Sequence, residues 1–265
     1  MNKLLLGILI PSLFLLGCKT EQEKKSRQQS KGEDNILSAT EISEGWELLF
    51  DGKTFDGWRS LGRNTVQNEH WRIEDGTIRK LNSGEVPSLP DGQPVEGGDL
   101  MTRDSFDNYE LYFEWKISKK GNTGVKYNVS EEMSQNYDSK YSALGFEYQL
   151  LDDKDSEYAG KLKPSQYTGG LYDLVAPKNA RVNPVGEYNS SRISVNGNLV
   201  EHWLNGTKVL TCELGSPELD SLFQNSKYKD IPQFLEKRKG HIVLQNHKDD
   251  AWFKNIKIRK IPPTD

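Results

Sequence analysis

From Gly45 onward the chain is a succession of short apolar or alternating runs separated by turn signals. Residues 109–117 read Tyr-Glu-Leu-Tyr-Phe-Glu-Trp-Lys-Ile, aromatic-rich with partial period-two alternation, the pattern of a half-buried strand. Residues 192–195, 199–204, 241–245 and 253–259 behave similarly, the last with near-perfect alternation. Asp-Gly at 51–52 and 75–76, and Asn-Gly at 196–197 and 205–206, are the dipeptides that two-residue hairpins favour. Helical signal is confined to Ser216-Pro217-Glu218 and the five residues after it, with Ser216 as N-cap and Pro217 at the first helical position. That helix sits in an insertion running to about residue 238. The pattern predicts an all-β sandwich or jelly roll of antiparallel sheets with one short helical insertion.

The N-terminal residues do not share this pattern. Lys3 precedes an apolar run over 4–16, broken by Pro11 and ending in Leu15-Leu16-Gly17-Cys18. The run is too short to span a bilayer comfortably and resembles a bacterial lipoprotein signal, residues 1–18, in which cleavage leaves Cys18 as the lipidated N-terminus. Acylated Cys18 would then hold the protein at the lipid membrane of the cell envelope. Residues 19–43 are mostly Lys, Glu, Gln and Ser, a composition expected to form a disordered tether. The folded domain is therefore expected over 44–265. The 265 residues carry a net charge of -4 with no basic stripe, which argues against a nucleic-acid partner. With Cys18 acylated, Cys212 has no partner for a disulfide.

Several blocks resemble the 3-keto-disaccharide hydrolase family. They begin with Gly45-Trp46-Glu47-Leu48-Leu49-Phe50-Asp51-Gly52-Lys53 and Gly57-Trp58, then Gly98-Asp99-Leu100-Met101-Thr102 and residues 110–118. Next come Gly121-Asn122-Thr123-Gly124-Val125, residues 145–152, Leu171-Tyr172-Asp173-Leu174 and residues 201–206. Ser216-Pro217-Glu218 and residues 240–247 close the series. The resemblance covers about 45–261 and implies a concanavalin A-like jelly roll that binds ligand on its concave sheet. It implies cleavage of 3-keto-glycosides, with the ketone supplied by a separate sugar 3-dehydrogenase, because the chain carries no nicotinamide or flavin fingerprint. Two positions depart from the family pattern: Gln245-Asn246-His247 stands where Gln-Asp-His is usual, and Lys126 where an aromatic or aliphatic residue is usual.

Within these blocks, Glu147 and Gln149 share one strand face, and a bulge after Gln149 would bring Asp152 onto it. This row is similar to the carboxylate row of retaining glucanases, with Gln at its centre; the competing reading is a polar strand face without catalysis. His247 ends an apolar strand and is either a base or a structural residue. Glu147 and His247 are the candidate catalytic groups. Gln149, Asp152, Arg103, Lys126, Tyr127, Tyr172, Asp173, His202, Trp203 and Asn205 are candidate sugar contacts, with core packing the competing reading for Tyr172 and Trp203. The chemistry implied is abstraction of the C2 proton next to the C3 ketone, elimination of the C1 substituent and hydration. Lys126, Gln149, a protonated His202 or a metal would stabilise the enolate. The four His residues show no zinc spacing, so no cofactor is required by the sequence. A non-catalytic carbohydrate-binding module, a direct glucanase-like glycoside hydrolase and a surface adhesion protein are the alternatives.

Overall fold

The structure is a computed structural model that describes residues 33–82, 97–137, 142–155 and 157–262. The expected leader, Cys18 and most of the expected tether lie outside the described residues. Thirteen described strands run in chain order. They are β1 (Trp46–Leu48), β2 (Trp58–Ser60), β3 (Trp71–Glu74), β4 (Thr77–Lys80), β5 (Leu100–Thr102), β6 (Tyr109–Ile117), β7 (Asn122–Val129), β8 (Phe146–Leu151), β9 (Asn189–Asn196), β10 (Leu199–Leu204), β11 (Thr207–Glu213), β12 (His241–Leu244) and β13 (Ala251–Lys260). They form two antiparallel sheets. One is ordered β11-β10-β9-β6-β13-β4-β3, with β1 also paired to β13; the other is ordered β2-β5-β12-β7-β8.

The alternation in β6 is realised fully: its odd-numbered residues, from Tyr109 to Ile117, are buried and the even-numbered ones half-buried. Trp115, Phe113 and Leu111 meet Val125, Tyr127, Phe146, Tyr148 and Leu150 of the other sheet in one continuous apolar core. Three of the four predicted turn dipeptides close hairpins, β3–β4, β9–β10 and β10–β11. Asp51-Gly52 does not. There the Asp51 carboxylate accepts the N–H groups of Lys53 and Thr54 at 2.8 and 2.7 Å and folds a local loop.

β13 departs from simple alternation. Phe253 and Ile256 are both in the core, because the register slips between Lys254 and Lys257 and Asn255 adopts φ 51°. This bulge is clamped by Asn35: the Asn35 N–H donates to Asn255 Oδ1 at 2.6 Å and the Asn255 N–H to Asn35 Oδ1 at 2.9 Å. Residues from Asp34 onward are therefore attached to the domain, ten residues before the expected boundary at 44. Lys254 pairs with Asp34, and helix α1 (Ala39–Ser43) is closed by a Ser38–Glu41 capping box, with Glu41 also bonded to Lys257. Composition misleads here because polar side chains hold this segment through hydrogen bonds, without apolar burial. Helix α2 (Glu131–Asn136) follows β7, and α3 (Pro217–Gln224) forms where expected, capped by Ser216 with Pro217 in its first turn. Three short α-helices thus stand among the described residues where one was expected.

Candidate functional site

The outer face of the five-stranded sheet carries the polar residues. Cross-strand partners share a face, so the register places Arg59, Met101, Val243, Lys126 and Glu147 in one outward row. The next row contains Gly124 opposite Gln149, and Gln245 beside them donates its N–H to Gly124 O at 2.9 Å. Gly124 has no side chain, and Glu147 occupies the space. A Cβ at position 124 would lie 2.7 and 2.8 Å from Glu147 Cγ and Cδ, and closer still to Oε1. The buried Glu147 carboxyl, on the edge strand β8, thus rests on the bare backbone of β7.

Lys126 opposite it serves a buried carboxylate. Asp99 accepts the Asn246 N–H at 2.7 Å, the Ala143 N–H at 2.9 Å and Lys126 Nζ at 3.3 Å, while Lys126 also donates to Ala143 O at 3.1 Å. A buried ion pair with these added hydrogen bonds is costly to break from either side. The unusual lysine is the counter-charge of Asp99, and two of its three donors are spent in that role.

After β12 the segment 245–249 crosses the end of the sheet. Asn246 Nδ2 donates to Gly97 O at 2.6 Å, a bond that an Asp carboxylate at this position could not make. Gly98 adopts φ 100°, and a Cβ there would meet His70, Asn246 and Gln67 at 2.7–3.1 Å, so three polar side chains converge on this glycine. The Asn122 N–H favours the ionised Asp249 carboxyl, and Gln149 Nε2 donates to Asn122 Oδ1 at 3.1 Å. Lys80 is fully buried beside Asp249 and Asp99 and donates to Leu81 O at 2.6 Å. Burial pushes its ammonium down to about 8 and the Asp249 carboxyl above its ordinary value.

Four buried acceptors of this region have no partner: Gln67 Oε1, Gln149 Oε1, Asn246 Oδ1 and Asp249 Oδ2. Each unmade bond costs about 1–3 kcal/mol. A cluster of acceptors lacking donors is the complement of a ligand rich in hydroxyl groups. Among the described residues no set of three His, Cys, Asp or Glu side chains is arranged to hold a metal.

Residues 45–259 match the model of the 3-keto-alpha-glucoside-1,2-lyase-like domain. The chain belongs to this family. It is 32% identical over 92% of its length to a 3-keto-disaccharide hydrolase of Bacteroides thetaiotaomicron, 93% of which is covered. A crystal structure from Parabacteroides distasonis, provisionally described as a glycosyl hydrolase, superposes with a TM-score of 0.73 at 30% identity. That match covers 87% of this chain and all of that one. A second P. distasonis structure superposes at 0.61 and 24% identity, covering 82% and 99% of the two chains, and shares the jelly roll.

Against this family frame the expected residues divide. Glu147 and Gln149 lie on the sheet floor, His247 is buried on the crossing segment, and Lys126 stands opposite Glu147. Tyr172 and Asp173 flank the same edge: the Tyr172 N–H donates to Glu147 O at 2.9 Å. Asp173, at φ 60°, accepts Lys163 Nζ at 3.0 Å and the Lys227 N–H at 2.7 Å, tying two loops beside the floor.

The other expected contacts lie elsewhere. The β7–β8 register is continuous, so no bulge returns Asp152 to the row; its Oδ2 accepts the Lys120 N–H at 3.0 Å in the β6–β7 turn. Arg103 is exposed at the opposite end of the sheet, bonded to Asn64 O. Tyr127 and His202 are core residues. His202 Nδ1–H donates to Gly169 O at 3.0 Å and the Tyr127 hydroxyl donates to Nε2 at 2.8 Å. Burial depresses His202 to about 4, so at neutral pH it is uncharged and cannot stabilise an enolate. Trp203 faces outward from the other sheet beneath the Arg192 guanidinium, 4.1 Å away, and Asn205 forms the β10–β11 turn.

Lys80 and Asp249 escaped the sequence reading. Lys80 had a readable signal, since period two in β4 puts it on the buried face of Ile78. Asp249 had none, because Lys248-Asp249-Asp250 reads as an ordinary solvated loop.

Proposed function

We propose that the protein hydrolyses glycosides whose sugar ring carries a ketone at C3. The observation that carries this reading is the 32% identity with a 3-keto-disaccharide hydrolase along nearly the whole of both chains. The site supports it: a buried carboxyl rests on a bare glycine, and the same end of the molecule carries buried acceptors that a polyhydroxylated ring would satisfy.

In this reading Glu147 is the base. The C3 carbonyl acidifies the C2 proton, Glu147 removes it, the C1 substituent departs, and water adds at C1. His247 and Gln149 contact the hydroxyl groups of the ring. A separate sugar 3-dehydrogenase supplies the ketone. Acylation at Cys18 holds the enzyme at the cell envelope, and Cys18→Ala releases it from the membrane fraction.

The test is mass spectrometry of products from a 3-keto-glucoside and its 3-hydroxy parent, each mixed with the purified protein. Cleavage of the keto form alone is expected. Binding of sugars without cleavage of either would replace this reading with that of a carbohydrate-binding module. Equal cleavage of both forms would make it a direct glycoside hydrolase.

A further inference from the structure

Elimination at C1 needs two proton-handling groups, and the reading above names only the base. We propose that Asp249 is the second, a catalytic residue that protonates the departing glycosidic oxygen and then activates the attacking water. The inference rests on the 3-keto-glycoside reading.

Three observations place Asp249 in this role. Its carboxyl is stabilised by the backbone N–H of Asn122, whose Oδ1 accepts Gln149 Nε2 on the sheet floor at 3.1 Å. Gln149 is two residues from Glu147 on the same face of β8, about 7 Å along the strand, and its bond to Asn122 continues the polar row from Glu147 towards Asp249. Second, Oδ2 is buried without a partner. An ionised oxygen in that state is costly, and a proton or a ligand oxygen relieves the cost. Third, the group is flanked by charges of both signs. Lys80 and Lys248 favour its ionised form, and Glu157 opposes it. With burial outweighing the lysines, the proton is held more tightly than on a surface carboxyl, as a donor needs.

The steps balance. Glu147 takes the C2 proton, the C–H electron pair forms the C2=C3 bond and the carbonyl pair moves to O3. The enolate pair returns, C1=C2 forms, and the C1–O bond breaks with its electrons on the departing oxygen, which takes the Asp249 proton. Ionised Asp249 then removes a proton from the water whose oxygen bonds to C1, and Glu147, its carboxyl proton exchanged with solvent water in the interval, protonates C2. Both carboxyls end as they began.

A group that protonates the leaving oxygen matters most when that oxygen is basic. The experiment compares Asp249→Asn, which keeps an acceptor for Asn122, with the wild-type full chain on two 3-keto-glucosides. One carries a glucose leaving group and the other 4-nitrophenolate. Asp249→Asn should lose about 10²–10⁴-fold in kcat/KM with the glucose leaving group and less than tenfold with nitrophenolate. Asp249→Glu, which restores a carboxyl, should recover part of the first loss. Thermal melts accompany each variant. Equal losses on both substrates, or none, would overturn the assignment, as would a leaving-group dependence that moves to His247→Gln. Should Asp249→Asn melt early, the same substrate comparison in Asp249→Glu decides: nitrophenolate and glucose reduced alike would count against Asp249. A wild-type protein inactive on both substrates would overturn the 3-keto reading itself, a result distinct from all of these.

Discussion

Gly124→Ala isolates the position of Glu147 from its charge. The new Cβ would stand 2.7–2.8 Å from Glu147 Cγ and Cδ, whereas ordinary contact begins at 3.4 Å, so the side chain must retreat by about 0.6 Å or swing to another rotamer. Backbone strain is not at issue, because Gly124 lies within β7 at an ordinary strand conformation and alanine is accommodated there. Replacing Gly by Ala also lowers the entropy of the unfolded chain, worth about 0.4–1 kcal/mol in favour of the variant. Pushing the carboxyl off its seat costs of the same order, so the melting temperature should stay within a few degrees of wild type. Catalysis should respond differently: misplacing a reacting group by about 1 Å costs on the order of 10²-fold. The assay is kcat and KM on a 3-keto-glucoside, with a thermal melt of the same preparation. Full kcat with an unchanged melt would refute the claim that Glu147 works from its seat over Gly124. A collapse of the melt would show that the sheet depends on this glycine for folding.

Glu147→Gln keeps the shape of the side chain and should lower kcat by about 10²–10⁴-fold with little change in the melt; undiminished kcat would remove Glu147 as the base. Asn246→Asp should lower stability by about 1–3 kcal/mol, because the bond to Gly97 O is lost and a carboxylate faces a carbonyl; a urea melt unchanged from wild type would count against that. His202 binds a proton near pH 4 when folded and near 6.5 when unfolded, so the unfolded chain holds more protons between these values. Stability from this group is therefore complete above about pH 6.5 and falls by on the order of 3 kcal/mol as pH drops to 4. His202→Gln should flatten that slope in urea melts taken from pH 7 to 4, and an unaltered slope would contradict the assignment of His202 as a neutral core residue.

Much of the fold is readable because β6, β9 and the hairpin turns follow local rules: side chains alternate, and Asn-Gly or Asp-Gly marks the reversal. Glu147 and Gln149 are readable for the same reason, since one strand face must carry both. The failures share a cause as well. Whether a polar side chain faces ligand or core depends on partners far away in the chain. His202 resembles a site residue until Tyr127 and Gly169 are seen to satisfy both ring nitrogens. Asp152 needed a bulge that the β7–β8 pairing does not make. The segment 34–43 buries none of its few apolar side chains fully, and its attachment depends on a bulge some 220 residues away at Asn255. Asp249, in a loop, gains meaning only when Asn122 of β7 is found against it.

The central claim is that bond cleavage proceeds through loss of the C2 proton. The most direct measurement is to run the reaction in deuterium oxide and locate the label in the released keto-sugar by mass spectrometry and NMR, with the product alone incubated in parallel to correct for spontaneous exchange. The account predicts one deuterium at C2, incorporated at the rate of turnover and suppressed with it in Glu147→Gln. Cleavage that leaves the C2 hydrogen in place would contradict it.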